Sequence, residues 1–172
     1  MEITGEKVII KETDENDLKD IQRLWNNGDV MKTVGFPEGL GQTFAEMMLW
    51  FNNLQATNKA RHYIVLSSDD DFCGELFYRK DPEHKRAGLD IKLLPEAQSR
   101  GLATEALQLF IDYIFETEEN IEAVWSEPAR ENIAARRLYT RVGLKEKERP
   151  DDMGSKGSYW ELTRNDWQEP NT

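Results

Sequence analysis

The segment Leu89–Ala106, L-D-I-K-L-L-P-E-A-Q-S-R-G-L-A-T-E-A, constrains this chain's fold more than any other. An apolar-rich run ends at Pro95, which has no N–H to give a strand ladder and therefore stops one. A short polar loop follows. Gly101 and Ala103 then open a long helix whose Leu102, Ala106, Leu109, Phe110, Tyr113 and Ile114 recur on one face. The first N–H groups of a helix lack internal acceptors, and small residues let a ligand come close to the backbone. With the positive end of the helix dipole and the fixed charge of Arg100, such a corner suits a diphosphate. It is equally the shape of an ordinary strand–turn–helix corner with glycine for tight packing. No G-x-x-x-x-G-K-[ST] and no G-x-G-x-x-G occurs, which sets aside a P-loop and a dinucleotide-binding fold.

Around this corner the chain reads as one domain over residues 1–172, with no repeat and no low-complexity linker. Lys7–Glu12 is a strand. Thr13-Asp14-Glu15 opens a helix with Leu18, Ile21, Leu24 and Trp25 at helical spacing, ended by Asn27-Gly28. Val30–Gly41, rich in Gly and Pro, is an irregular loop, and Thr43 caps a helix carrying Phe44, Met47, Met48 and Phe51. Strands are expected at His62–Leu66, Phe72–Tyr78, Ala87–Leu94 and Ile121–Trp125, with a helix over Glu131–Val142 stopped by Gly143. Two closing strands fit Leu144–Glu148 and Ser158–Leu162. The order β-α-α-β-β-β-α-β-α-β-β predicts an α+β fold on one mixed sheet of about seven strands and four helices.

Charge and cysteine content narrow the function classes. With 22 Lys and Arg against 33 Asp and Glu, the net charge is −11. That argues against a partner gripped by its phosphates, whether nucleic acid or anionic membrane, and favours cations near the surface. No apolar run reaches membrane-spanning length, and Met1–Glu6 has neither the basic start nor the apolar stretch of a secretion signal. Cys73 is the single cysteine, so no internal disulfide forms and a cytoplasmic location is expected. Cys73 reads as a small buried hydrophobe. His62 and His84 lack metal-ligand spacing, and Asp69-Asp70-Asp71 lacks the Gly and distal Glu of a calcium loop, so no metal is expected.

A second segment, Glu131–Leu144, reads E-N-I-A-A-R-R-L-Y-T-R-V-G-L. On a helix Asn132, Ala135 and Tyr139 share a face, with Asn132 and Tyr139 about 10 Å apart along the axis. An amide at one end and a phenol at the other suit an extended, amide-bearing thiol arm; on spacing alone Tyr139 reads better as a core aromatic. Taken together, Gln98-Ser99-Arg100-Gly101-Leu102-Ala103 between strand and helix and the Asn132…Leu138-Tyr139 helix followed by Gly143-Leu144 resemble the signatures of the GNAT superfamily of acyl-CoA-dependent N-acetyltransferases. The run L-L-P-E-A-Q-S-R-G-L-A-T-E-A-L is most similar to the branch of ribosomal-protein N-terminal and spermidine acetyltransferases.

The resemblance implies acetyl-CoA as donor and a cleft between a splayed strand pair. The strand ending at Leu93 and Leu94 would pair with the pantetheine arm through backbone groups. Gln98, Arg100, Gly101, Leu102, Ala103 and Thr104 would hold the pyrophosphate, and Asn132 and Ala135 would flank the arm. Tyr139 would protonate the leaving thiolate, and an N–H near Leu93 would steady the oxyanion. Many relatives carry Glu where this chain has Gly88, so the base is expected at Asp90, two residues on and on the same face, then at Glu75, then in water. A plain ion pair of Asp90 with Lys92 is the competing reading. Trp25 and Trp50 read mainly as scaffold that, by the resemblance, could also wall the acceptor pocket; the acceptor is expected to be a small cationic amine or a protein N-terminus, and the enzyme a monomer or homodimer. The alternative is a non-catalytic acyl-CoA-binding module.

Overall fold

A computed structural model describes residues 1–154 and 157–170. Its frame is one eight-stranded sheet in the order β1-β2-β3-β4-β5-β6-β8-β7. The strands are β1 (Glu2–Thr4), β2 (Val8–Glu12), β3 (Ala60–Ser67), β4 (Phe72–Asp81), β5 (Arg86–Leu93), β6 (Ala123–Ser126), β7 (Lys145–Lys147) and β8 (Tyr159–Thr163). Neighbours pair antiparallel except β5 with β6, which run parallel. That parallel pairing covers Arg86↔Ala123, Ala87↔Val124 and Gly88↔Trp125. Beyond Gly88 the two strands part, so β5 from Leu89 to Leu93 is bonded on its β4 side and open on the other.

The helices are α1 (Leu18–Trp25), α2 (Gly28–Met31), α3 (Phe44–Gln55), α4 (Leu102–Thr117), α5 (Ile133–Arg141) and α6 (Arg164–Gln168). α4 crosses one face of the sheet, burying Ala106, Leu107, Phe110, Ile111 and Ile114 against Tyr63, Leu76, Tyr78 and Leu89. α1 and α3 cover the other face, where Leu18, Ile21 and Met47 meet Ile64. The Arg164 guanidinium closes the far end of α4, donating to the carbonyls of Phe115, Glu118 and Ile121 at 2.8 Å each.

The α+β class and the splayed strand pair agree with expectation, while the described residues form eight strands and six α-helices rather than seven and four. β1 is the added strand, too short to show alternation. Asn27 does more than end α1. Its Oδ1 accepts from Asp29 N–H at 3.0 Å and Val30 N–H at 3.3 Å, starting α2 inside what reads as loop. Thr163 does the same for α6 by accepting from Asp166 N–H at 3.1 Å.

Candidate active site

Where β5 and β6 part, a cleft of about 1760 Å³ opens between them, walled by α5, the start of α4 and the 29–35 segment. At its α4 end Gly101 has φ +75°, a left-handed conformation that side chains disfavour. The first bond of the helix there runs from Glu105 N–H to Gly101 O at 3.4 Å. The amides of Leu102, Ala103 and Thr104 are therefore left without internal acceptors. Glu105 also turns its carboxylate outward to the β1–β2 turn, accepting from Glu6, Lys7 and Val8 N–H at 3.1, 2.7 and 2.9 Å. This brings the Lys7 ammonium to 3.0 Å from where a Cβ on Gly101 would stand.

Leu93, Gln98, Gly101, Ala103, Thr104, Asn132, Ala135, Tyr139 and Asp90 all line the cleft. Leu94 and Leu102 instead face the core, Arg100 stands exposed outside the lining, and Glu75 lies beneath the floor. Gln98 Nε2 donates to Leu93 O at 3.1 Å, tying the loop to the strand end. Asn132 caps α5 by accepting from Ala135 N–H at 3.1 Å, which leaves its amide NH2 available to a ligand.

Tyr139 is almost wholly buried, and Ser126 Oγ donates to its phenol oxygen at 3.0 Å. The phenol's own hydrogen is thereby left to give. Burial first, then the Asp90 charge, raises the phenol well above its ordinary value, so it is protonated at neutral pH.

The face of β4 and β5 that looks toward α1 and α3 forms a ladder of pairs: Glu75 with Lys92, Phe77 with Asp90, Arg79 with Gly88. Asp90 is paired with Lys92 and accepts from Ile91 N–H at 3.0 Å, while its side chain is 42% exposed. Glu75 is inaccessible. Its Oε2 accepts from Trp25 Nε1–H at 2.8 Å and from His62 Nε2–H at 2.7 Å, and Lys92 Nζ stands 3.5 Å from Oε1. His62 Nδ1 meets Thr13 Oγ1 at 2.7 Å. Burial pushes the Glu75 carboxyl upward, but His62, Lys92 and the Trp25 N–H outweigh it and hold the group down to about 2. Burial likewise works against the Lys92 ammonium, yet Asp90 and Glu75 keep it above its ordinary value.

Gly88 answers to Trp125. A Cβ there would stand 2.8 Å from the indole Cζ2, so the ring occupies the space a side chain at 88 would need. Trp25 and Trp50 pack edge-on at 4.8 Å and over His62, rather than in the cleft wall. Asp81, His84 and Asp152 gather within 4.8 Å, but the Arg86 guanidinium already pairs with both carboxylates where a metal ion would compete. Sequence reasoning missed Ser126, Trp125 and Glu105, whose partners are fixed by parallel register and long-range packing. No described helix is long and apolar enough to cross a membrane.

Residues 7–145 match the family model described as an acetyltransferase (GNAT) domain. The Bacillus subtilis protein named Uncharacterized N-acetyltransferase YnaD is 26% identical over 161 residues, 93% of this chain and 92% of its own. Spermidine N(1)-acetyltransferase of Escherichia coli K12 is 28% identical over 142 residues, 82% of this chain and 74% of its own. Among solved structures, spermidine N-acetyltransferase from Vibrio cholerae, in complex with CoA and spermine, superposes with a TM-score of 0.82 at 21% identity, covering 95% and 99% of the two chains. The ribosomal L7/L12 alpha-N-protein acetyltransferase RimL, in complex with coenzyme A, superposes at 0.79 with 14% identity, covering 95% and 98%. This chain belongs to the GNAT acetyltransferase family and is an acetyl-CoA-dependent N-acetyltransferase.

Proposed function

We propose that the 172-residue chain is a single catalytic domain that transfers the acetyl group of acetyl-CoA directly to a primary amine, on a small amine or a protein N-terminus. The observation that carries this reading is Tyr139, buried in the cleft, hydrogen-bonded by Ser126 and left with its own proton to donate. The pyrophosphate rests on the open amides of Leu102, Ala103 and Thr104, with Gln98, Arg100 and Gly101 shaping the loop. The pantetheine arm lies along the unpaired edge of β5 near Leu93 and Leu94 and is met by Asn132 and Ala135.

The neutral amine attacks the thioester carbonyl, and a backbone N–H near Leu93 supports the oxyanion. Collapse breaks the C–S bond, and Tyr139 protonates the departing thiolate. Asp90 takes the ammonium proton, directly or through water, because it is the accessible carboxylate on this face. Glu75, with both oxygens engaged, positions Lys92 and Trp25 instead. A cytoplasmic setting agrees with the lone, buried thiol of Cys73, and the enzyme works as a monomer or homodimer.

Tyr139→Phe removes the proton donor and keeps the ring. Turnover falls about 10²- to 10⁴-fold while acetyl-CoA affinity stays within about threefold. Thiol release measured with an amine panel, beside calorimetric binding of CoA, checks this. Wild-type turnover in the variant refutes the assignment.

A further inference from the structure

The charge of the whole chain suggests a cationic acceptor, but the charges along the acceptor wall do not. Glu127 and Glu131 line the cleft from the stretch before α5, and the acids on its α2 and β4–β5 side are Asp29, Asp81 and Asp90. Each of these three has a cation beside it: Lys32 at 3.7 Å from Asp29, Arg86 at 3.2 Å from Asp81, and Lys92 paired with Asp90. Glu75 below the floor shares Lys92 with Asp90 and accepts a hydrogen bond from His62. Each acid of this wall is thus already held by a cation, for which a second ammonium group would have to compete.

Arg79 is the opposite case. It lines the same wall, its side chain is exposed, and no carboxylate pairs with it among the described residues. Its guanidinium lies over the Phe77 ring, 6.0 Å from the centroid, which gives it a platform. Its register partner is Gly88, which brings no acid opposite it. Beside Gly88 stands Trp125, whose buried Nε1–H has no acceptor among the described residues. A buried donor without a partner is unfavourable until an oxygen supplies one. The wall thus offers an exposed cation suited to an oxygen anion, with an unsatisfied donor buried beside Gly88. Asp90, two residues along β5, lies about 7 Å from this place.

We propose that the acceptor is a primary amine bearing a carboxylate about 7 Å from its nitrogen, with the amine at Asp90 and the carboxylate at Arg79. The proposal rests on the amine-acetylation reading above and names the substrate class of that site. A polyamine would bring a second ammonium to the guanidinium and be repelled, whereas a carboxylate makes a paired, charge-assisted contact with it.

Two matched probe pairs test this. 5-Aminopentanoate and pentane-1,5-diamine differ chiefly in carboxylate against ammonium at the far end. C-terminally amidated peptides beginning with Glu or with Gln separate a protein N-terminus from a small molecule as the source of that carboxylate. The expected result is kcat/KM at least about tenfold higher for a carboxylate probe than for its partner and for spermidine. In Arg79→Gln that advantage drops to within about threefold, and in Arg79→Glu it reverses. Calorimetric binding of the same probes to the CoA complex is read alongside. Arg79-dependent carboxylate binding without acetylation supports the acceptor chemistry and counts against the transfer reading. Better use of pentane-1,5-diamine or spermidine, a preference untouched in Arg79→Gln, or carboxylate probes that neither bind nor react overturns the proposal.

Discussion

Removing the Glu75 side chain is the sharpest test of how the acceptor face is held together. The carboxylate is 4% exposed and joins three elements: Trp25 from α1, His62 from β3 and Lys92 from β5. In Glu75→Ala the Trp25 N–H and the His62 ring lose their acceptor while still buried. Breaking a buried ionic contact from one side costs about 3–5 kcal/mol. Lys92 keeps Asp90 and is not stranded, so the lower part of that range applies, about 3–4 kcal/mol. Against a typical domain stability of about 5–15 kcal/mol this is a large fraction. At about 2–4 °C per kcal/mol for a chain of this size, the melting temperature falls by roughly 6–16 °C. Glu75→Gln keeps one acceptor oxygen and loses the charge, costing about 1.5–3 kcal/mol. Urea unfolding followed by tryptophan fluorescence measures both variants, Trp25 reporting on the contact itself. A loss under about 1 kcal/mol in Glu75→Ala would show that the network is not what fastens α1 to the sheet.

Other outcomes follow from the same geometry. Because the folded Glu75 carboxyl lies near 2 and its ordinary value is 4.5, its stabilisation is complete above about pH 4.5 and is lost as pH falls toward 2. Unfolding free energies measured across that window should decline, and Glu75→Gln should lack that portion of the decline. Gly88→Ala forces a Cβ to 2.8 Å from Trp125 and should destabilise by about 1–3 kcal/mol. Pairing it with Trp125→Leu should recover most of the loss in thermal melts, and no recovery would place the strain elsewhere. Arg164→Met strips three carbonyls at the end of α4 of their donor and should cost at least about 2 kcal/mol by chemical denaturation.

The sequence exposed this site unevenly. Pro95 and Gly101 announced the corner because each restricts backbone geometry locally, and the Asn132–Tyr139 face could be counted along one helix. α2 and α6 escape notice because four or five residues barely exceed one 3.6-residue turn and show no recurrence, and their starts depend on the side-chain oxygens of Asn27 and Thr163. Glu75 is the instructive residue. As a carboxylate in a strand it looked like a spare base, and only the arrival of Trp25 from 50 residues away and His62 across the sheet shows its oxygens to be engaged. Trp125 was similarly opaque. Its bearing on Gly88 exists only because β5 and β6 pair for three residues before separating, a register that no local pattern encodes.

Glu105 carries one further consequence. One carboxylate joins the turn after β1 to the first turn of α4 by three backbone amides, and it sets Lys7 over Gly101. The opening residues of the chain are therefore part of the foundation of the donor site. A tag, fusion or cut that disturbs β1 reaches the nucleotide end of the cleft through that anchor, so an altered affinity for acetyl-CoA can originate about a hundred residues away in sequence from the loop that grips it.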